Sequence, residues 1–478
     1  MMKNENVLKQ IAYLAIVLYI LDIILLGGGN LTKIGGVSTR ILFFAIAILA
    51  CVPGMLKDFK KYVTNRYCLS VGIFMLFVAV ALAIGILNGN SRVIMITDIK
   101  GFLNILIVFP MIYALDTREK LMSILKVMTV TLLGVAAVAL ILSFYMKMPV
   151  NVQTVVYKFF NSNVLCGISS LHGNVTRVFF HTSGRWFFVG FMFLLTFAVL
   201  KTEKRIVKEL GMAIFMCACF ISYTRSIYLA IFVCFITFIV LVNLLFKERA
   251  KTYFVSVLRM SVMTLAIVLA LGVAQEDNLI SVAINRCLLA TVDTEVCLQG
   301  AEISTSESTV ETEANETENT SNIKDKNKDK GHNVEDQFDN LDAEKDNLEI
   351  RELRKTLAIE NIKKHPIVGN GLGMVNDING EHIEYFYLDL LSKMGIAGML
   401  AFFAPFFICI YDLIVYRKRM LEENAMLLFS ASISILFLFV ISYFNPCMNT
   451  NVGLVVYCIG MCIANIARKG MQGRFKEA

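Results

Sequence analysis

Residues 351–398 read RELRKTLAIENIKKHPIVGNGLGMVNDINGEHIEYFYLDLLSKMGIAG. Ile350, Leu353 and Leu357 recur at steps of three and four, with Arg351, Arg354 and Lys355 on the adjoining face, which predicts an amphipathic helix over 348–364. Pro366 stops that helix, and Gly369, Gly371 and Gly373 read as a flexible turn. A polar link carrying His382 and Glu384 then runs into an apolar segment that starts near residue 385. The stretch is therefore a hinge between a water-exposed loop and a membrane span, and the rest of the chain fits around it.

Outward from the hinge, the chain is mostly hydrocarbon-facing. Of its 478 residues 57% are hydrophobic, and mean hydropathy is +0.66, which excludes an ordinary soluble domain. About twelve apolar segments approach the roughly 20 residues needed to cross a bilayer: 11–28, 37–56, 68–88, 94–115, 121–143, 185–200, 209–224, 226–246, 253–274, 385–416, 424–444 and 450–467. The expected fold is an all-α membrane protein with a large extracytoplasmic loop between spans nine and ten. It divides into a nine-span region (1–274), the loop (275–382) and a three-span region (383–478). Within the loop, 301–349 is acidic and poor in apolar residues, so it is expected to be a disordered insertion.

Charge sets the expected orientation. Alternate links are basic: Lys57/Lys60/Lys61/Arg66, Arg118/Lys120, Lys201/Lys204/Arg205/Lys208, Lys247/Arg249/Lys251, Arg417/Lys418/Arg419 and the tail from Arg468. Cytoplasmic links carry the excess of Lys and Arg, which places both termini inside and the long links 144–184 and 275–382 outside. The net charge of +7 thus bears on topology and not on nucleic acid. Cys217, Cys219, Cys234, Cys409, Cys458 and Cys462 lie within apolar runs and read as packing residues.

The residues that could carry chemistry fall on the outer side. All five histidines (His172, His181, His332, His365, His382) do so, and His382 stands at the water–membrane boundary. Arg225 occupies a very short link between spans, where it adds nothing to orientation and offers a rigid donor fork suited to phosphate. Arg286 follows the ninth span, and Arg177 and Arg185 lie in the first long outer link. Bland alternatives are open for each: snorkelling for Arg225, loop arginines elsewhere, a helix-capping imidazole at His382. The Gly-x-Gly-x-Gly run has no strand before it and does not read as a dinucleotide loop. Charges inside the spans are sparse (Asp22, Asp98, Lys100, Asp389, Asp412), which disfavours an ion-driven transporter, and the sequence shows neither the polar central path nor the repeat between halves expected of a flippase.

The run HPIVGNGLG, the polar link with histidine, and YLDLLSKMGIAG together resemble the shared region of bacterial O-antigen ligases and O-antigen/capsule polymerases. The span count, the loop between spans nine and ten, Thr224-Arg225-Ser226 and Arg286 resemble that family too. In the family the histidine stands nearer the Gly-x-x-Gly of the next span and precedes an asparagine; here Glu384 occupies that offset before Gly395 and Gly398, and Ile383 follows His382. The resemblance implies glycosyl transfer at the outer face of the bacterial cytoplasmic membrane, with no cofactor or metal. The donor would be an undecaprenyl-diphosphate-linked glycan. Arg225 and Arg286 would hold the diphosphate, His382 would act as base with Glu384 as partner or substitute, and Arg177, Arg185, Arg351 and Arg354 would line the substrate. Membrane lipid, a flippase and a chain-length regulator are the implied partners. Polymerisation of repeat units is the expected reaction, with ligation of finished glycan to a lipid A core as the alternative.

Overall fold

The computed structural model describes residues 2–27, 32–34, 37–161, 163, 165–172, 175–201, 203–287, 352–375 and 385–477. Arg351, His382, Glu384 and the expected insertion 301–349 lie outside them. In chain order the helices of eight or more residues are α1 (Met2–Leu25), α2 (Thr39–Lys57), α3 (Arg66–Leu87), α4 (Arg92–Ala114), α5 (Arg118–Leu142), α6 (Val150–Phe160), α7 (Phe187–Leu200), α8 (Arg205–Phe220), α9 (Arg225–Leu245), α10 (Lys247–Gln275), α11 (279–287), α12 (352–364), α13 (Phe386–Tyr416), α14 (Glu422–Phe444) and α15 (Asn451–Glu477). Two antiparallel hairpins interrupt them: β1 (Lys33–Ile34) with β2 (Val37–Ser38), and β3 (Cys166–His172) with β4 (Val175–Phe180).

Among the described residues, eleven helices are long and apolar enough to cross a membrane, counting the turn Ser183–Trp186 with α7. The chain is a multi-pass, all-α membrane protein. The segment expected as the seventh span is α8, a helix of 16 residues. That length rises about 24 Å, short of a hydrocarbon core of about 30 Å, and α8 packs against α5, α7 and α10. The centre of the bundle is α14 and α15, whose apolar windows are 89% and 94% buried, whereas α2, α9 and α10 are each 28% buried and turn most of their surface outward. The six cysteines read as packing residues are all buried.

Polar contacts join one end of the bundle. Lys57 at the end of α2 pairs with Glu5 at the start of α1, and Lys9 reaches Asp116 just before α5. Arg66 at the start of α3 donates to Asp412 near the end of α13 at 2.7 Å, and Arg468 of α15 lies 3.8 Å from the same carboxylate. Arg249 forks onto Glu422, Arg118 pairs with Glu423, and the guanidinium of Arg417 sits 4.7 Å from the ring of Phe246. The basic links identified in sequence thus meet at one end. We call this the link end and its opposite the loop end.

The hinge differs from the flexible turn expected. Residues 365–375 form a wedge driven into the bundle between α3, α4 and α13. Leu372 is fully buried, and its N–H donates to Ala81 O at 2.8 Å. Asn370 N and Gly371 N donate to Ser392 O and Lys393 O, and Asn90 Nδ2 donates to the carbonyls of Asn370 and Leu372 at 3.0 Å each. Gly369, Gly371 and Gly373 have φ of 75°, 87° and 77°, a region that favours glycine. A Cβ on Gly371 would overlap the backbone of Gly85, so the residue type permits close approach and not looseness. Gly395, at φ 63° and ψ −172°, breaks α13 where Ile396 N and Ala397 N donate to Pro366 O and Ile367 O.

Beneath the wedge lies a charged cluster that sequence reading passed over. Lys393 is 1% exposed; its Nζ is 2.8 Å from Asp98 Oδ1 and 2.8 Å from Asp389 Oδ1. Asp98 Oδ2 also accepts from Gly373 N at 2.9 Å. The two intramembrane aspartates therefore hold α4, α13 and the wedge together through one lysine.

Candidate functional site

The loop end gathers the arginines. The β3–β4 hairpin pairs Cys166 with Phe180 and Ser169 with Arg177, with an irregularity between Ser170 and His172. Strand β4 docks on the α8–α9 turn through Val178 N to Ile221 O, 3.2 Å. In that turn Tyr223 takes φ 45°, an uncommon conformation for a residue with a Cβ. Beside Tyr223, Ser222 O accepts from Arg177 Nε at 3.0 Å and from Thr224 Oγ1 at 3.0 Å. Arg225 then begins α9, exposed, with its Nε donating to Arg286 O at 2.8 Å.

Neighbouring charges at this end are felt by one another. Burial and the positive charge of Arg286 both lower the pKa of Arg177. His181, at the exit of the hairpin, has its pKa lowered by burial and by the charges of Arg185 and Arg177, so the neutral imidazole is favoured. Arg185, in the turn before α7, donates from Nη2 to Asn445 Oδ1 at 2.7 Å and from Nη1 to Pro446 O at 3.3 Å. Arg225, Arg286, Arg177, His181 and Arg185 thus form one electropositive arc above the core helices α7, α14 and α15. Among the described residues, Arg177, Arg185 and Arg225 have no carboxylate partner; their hydrogen bonds go to carbonyls, a hydroxyl and an amide. Arg177, Arg185 and Arg225 can therefore hold an anion, because no carboxylate neutralises them in advance.

The remaining predicted residues approach from one side. Arg354 is partly buried on α12. On the same helix Lys355 pairs with Glu352 and is close enough to feel the phenols of Tyr385 and Tyr443; the hydrogen bond to Glu352 is the main reason its pKa is raised. The ring of Tyr385, the first described residue after the link, lies 6.1 Å from that of Tyr443, two residues before the Asn445 that receives Arg185. Next to the Arg225–Arg286 contact, Phe220, Tyr228, Ile280, Ala283, Ile284 and Cys287 line an apolar groove of about 360 Å³. Among the described residues no cluster of three His, Cys, Asp or Glu side chains could hold a metal ion.

Sequence reasoning brought Arg177, Arg185, Arg225 and Arg286 to this end and missed three things: the place of His181 beside the arginines, the Lys393 cluster, and the asparagines of the α14–α15 link. Lys393 stands four residues after Asp389, a spacing that pairs charges on a helix, and that signal was present. The link NPCMNTN, residues 445–451, offered a polar island between apolar runs.

The family model described as O-antigen ligase matches residues 210–403. No curated protein and no solved structure matches the chain. The matched stretch contains Arg225, Arg286, the glycine wedge and Lys393, while Arg177 and Arg185 precede it. Over that stretch, with its arginines at the loop end of a bundle built to span a membrane, the chain is similar to the O-antigen ligase family.

Proposed function

We propose that the protein joins undecaprenyl-diphosphate-linked repeat units into a surface polysaccharide at the outer face of the cytoplasmic membrane, with the link end and both termini in the cytoplasm. What carries the reading is the arc of Arg177, Arg185 and Arg225, which lack acidic partners among the described residues and lie at one end of a membrane bundle. A hydroxyl oxygen of the acceptor forms a bond to the anomeric carbon of the donor. The bond from that carbon to phosphate oxygen breaks, and the diphosphate leaves with the electron pair. Negative charge grows on the leaving group, where Arg225 and Arg286 stabilise it. The acceptor's proton passes to an imidazole. His382 is the expected base, with Glu384 its partner or substitute; His181, which burial and then the neighbouring arginines keep neutral, is the described imidazole nearest in role.

Ligation of finished glycan to a final acceptor is the second reading, and the family match is compatible with either. The lipid-linked intermediate separates the two. In a producing strain, Arg225→Ala, Arg177→Ala and His382→Ala leave single repeat units on the carrier lipid if the protein polymerises. Long, unattached chains on the carrier lipid mean ligation. Full-length, attached glycan in all three variants refutes both.

A further inference from the structure

At the far end of the arc the chemistry changes. The turn Ser183–Trp186 lies along the α14–α15 link: Arg185 donates to Asn445 Oδ1 and Pro446 O, and Trp186 Nε1 donates to Val452 O at 2.7 Å. Four polar atoms here have no hydrogen-bond partner among the described residues: Ser183 Oγ, Arg185 Nε, Asn449 Oδ1 and Asn451 Nδ2. Ser183 is 1% exposed and Asn451 5%. Native structures pair nearly all their buried polar groups, so several unpaired ones along one short contact mark a place for a ligand.

The four atoms also say what kind of ligand. A phosphate only accepts hydrogen bonds, and Asn449 Oδ1 offers it nothing. A sugar hydroxyl both donates and accepts, so neighbouring hydroxyls can take from Asn451 Nδ2 and Arg185 Nε and give to Asn449 Oδ1. The two Nη atoms of Arg185 are taken by Asn445 and Pro446, and no carboxylate among the described residues contacts it, so its Nε is left for a sugar oxygen. The arc is therefore divided: the exposed guanidinium of Arg225 at one end, amide and hydroxyl groups at the Arg185 end.

We propose that Ser183, Arg185, Asn445, Asn449 and Asn451 form a glycan subsite that binds sugar hydroxyls, separate from the place where the diphosphate sits. This rests on the glycosyl-transfer reading and adds which part of the substrate goes where. It also gives the short link between the last two spans a direct part in recognition.

Trp186 is the sole tryptophan of the chain, so its emission reports on this subsite without a label. The full-length protein in lipid nanodiscs is titrated with two probes. One is oligosaccharide freed by partial acid hydrolysis of the producing strain's own surface glycan; the other is undecaprenyl diphosphate carrying no sugar. The oligosaccharide is expected to shift Trp186 emission saturably, and the bare lipid diphosphate to leave it unchanged. Asn451→Leu and Ser183→Ala should each weaken the oligosaccharide about tenfold, since a site built to hydrogen-bond a hydroxyl discriminates strongly when a partner is removed. Arg225→Ala should bind it like the parent protein. Ser183→Ala removes one oxygen and serves if Asn451→Leu lowers the melting temperature. A silent titration, unchanged affinity in a folded variant, or a Trp186 response to the lipid diphosphate alone overturns the proposal. Its failure is separable from failure of the function. A deletion strain with unchanged surface glycan refutes glycosyl transfer. A deletion that strips the glycan, alongside a silent Trp186, refutes only the subsite.

Discussion

The two ends of the bundle use the same residue type for opposite purposes. At the link end arginines meet carboxylates: Arg66 and Arg468 share Asp412, Arg249 holds Glu422, and Arg205 holds Glu209 with Ser256. At the loop end Arg177, Arg185 and Arg225 rest on carbonyls and amides, with no acidic partner among the described residues. An arginine matched to a carboxylate has spent its charge on holding helices together. One held only by neutral acceptors keeps its field for whatever arrives. The difference teaches that position in the bundle, and not residue type, decides whether an arginine meets a carboxylate.

The largest expected effect tests the loop end directly. Arg225→Ala should lower glycan transfer about 10²–10³-fold, the usual cost of one donor to a developing charge, while the melting temperature in detergent stays that of the parent. A variant that melts early and keeps its activity per folded molecule would move Arg225 into the structural class. The mirror experiment is Asp412→Ala. It should cost about 3 kcal/mol, the lower part of the range for breaking a buried pair, because Arg66 is partly exposed and can turn to water. Thermal unfolding reads the loss, and turnover per folded molecule should not change. If turnover falls while stability holds, the division of labour between the ends is wrong.

A smaller effect sharpens the comparison within the loop end, which also needs structural parts. Gly371→Ala places a side chain at φ 87° against the backbone of Gly85. The backbone strain alone should cost about 1–3 kcal/mol, with overlap adding to it, and amide exchange at Leu372 should rise as the wedge loosens. Unchanged melting would mean that the wedge is not the fixed element described above.

These tests also mark what could be read from the sequence. Apolar length and alternating basic links are long-range, repetitive signals, and they gave the bundle, its spans and the gathering of basic links at one end. Arg225 stood out because a lone cation between two apolar runs has no role in orientation. The wedge did not, because glycines at positive φ look the same in sequence whether they loosen a turn or let two backbones touch. Lys393 was hidden inside a family-like motif, although Asp389 and Lys393 stand four apart; its second partner, Asp98, is 295 residues away in sequence. The asparagines of 445–451 stand in a polar island between apolar runs, but only the structure shows Ser183, Asn449 and Asn451 carrying buried atoms without partners. For α8 the apolar run was right and the length decided its shortfall as a span.

The finest test concerns pH, because the two ends should respond differently to it. His181 has a depressed pKa for a physical reason, burial first and then the charges of Arg185 and Arg177. The unfolded chain takes up this proton near the ordinary histidine value of about 6.5, while the folded protein resists it to a lower pH. Between those two values the unfolded state binds more protons, so stability is complete above about pH 6.5 and declines as pH falls toward the folded pKa. Melting curves from pH 7.5 to 5.5 should show that decline, and His181→Gln should flatten it. The effect reports on the arginines as well: Arg185→Gln removes one of the charges that repel the proton, so the decline should shrink without vanishing, since burial remains. A slope equally steep in the Arg185 variant would mean that the arc's charges are not felt at His181, and the loop end would then lack the continuous positive field that distinguishes it from the link end.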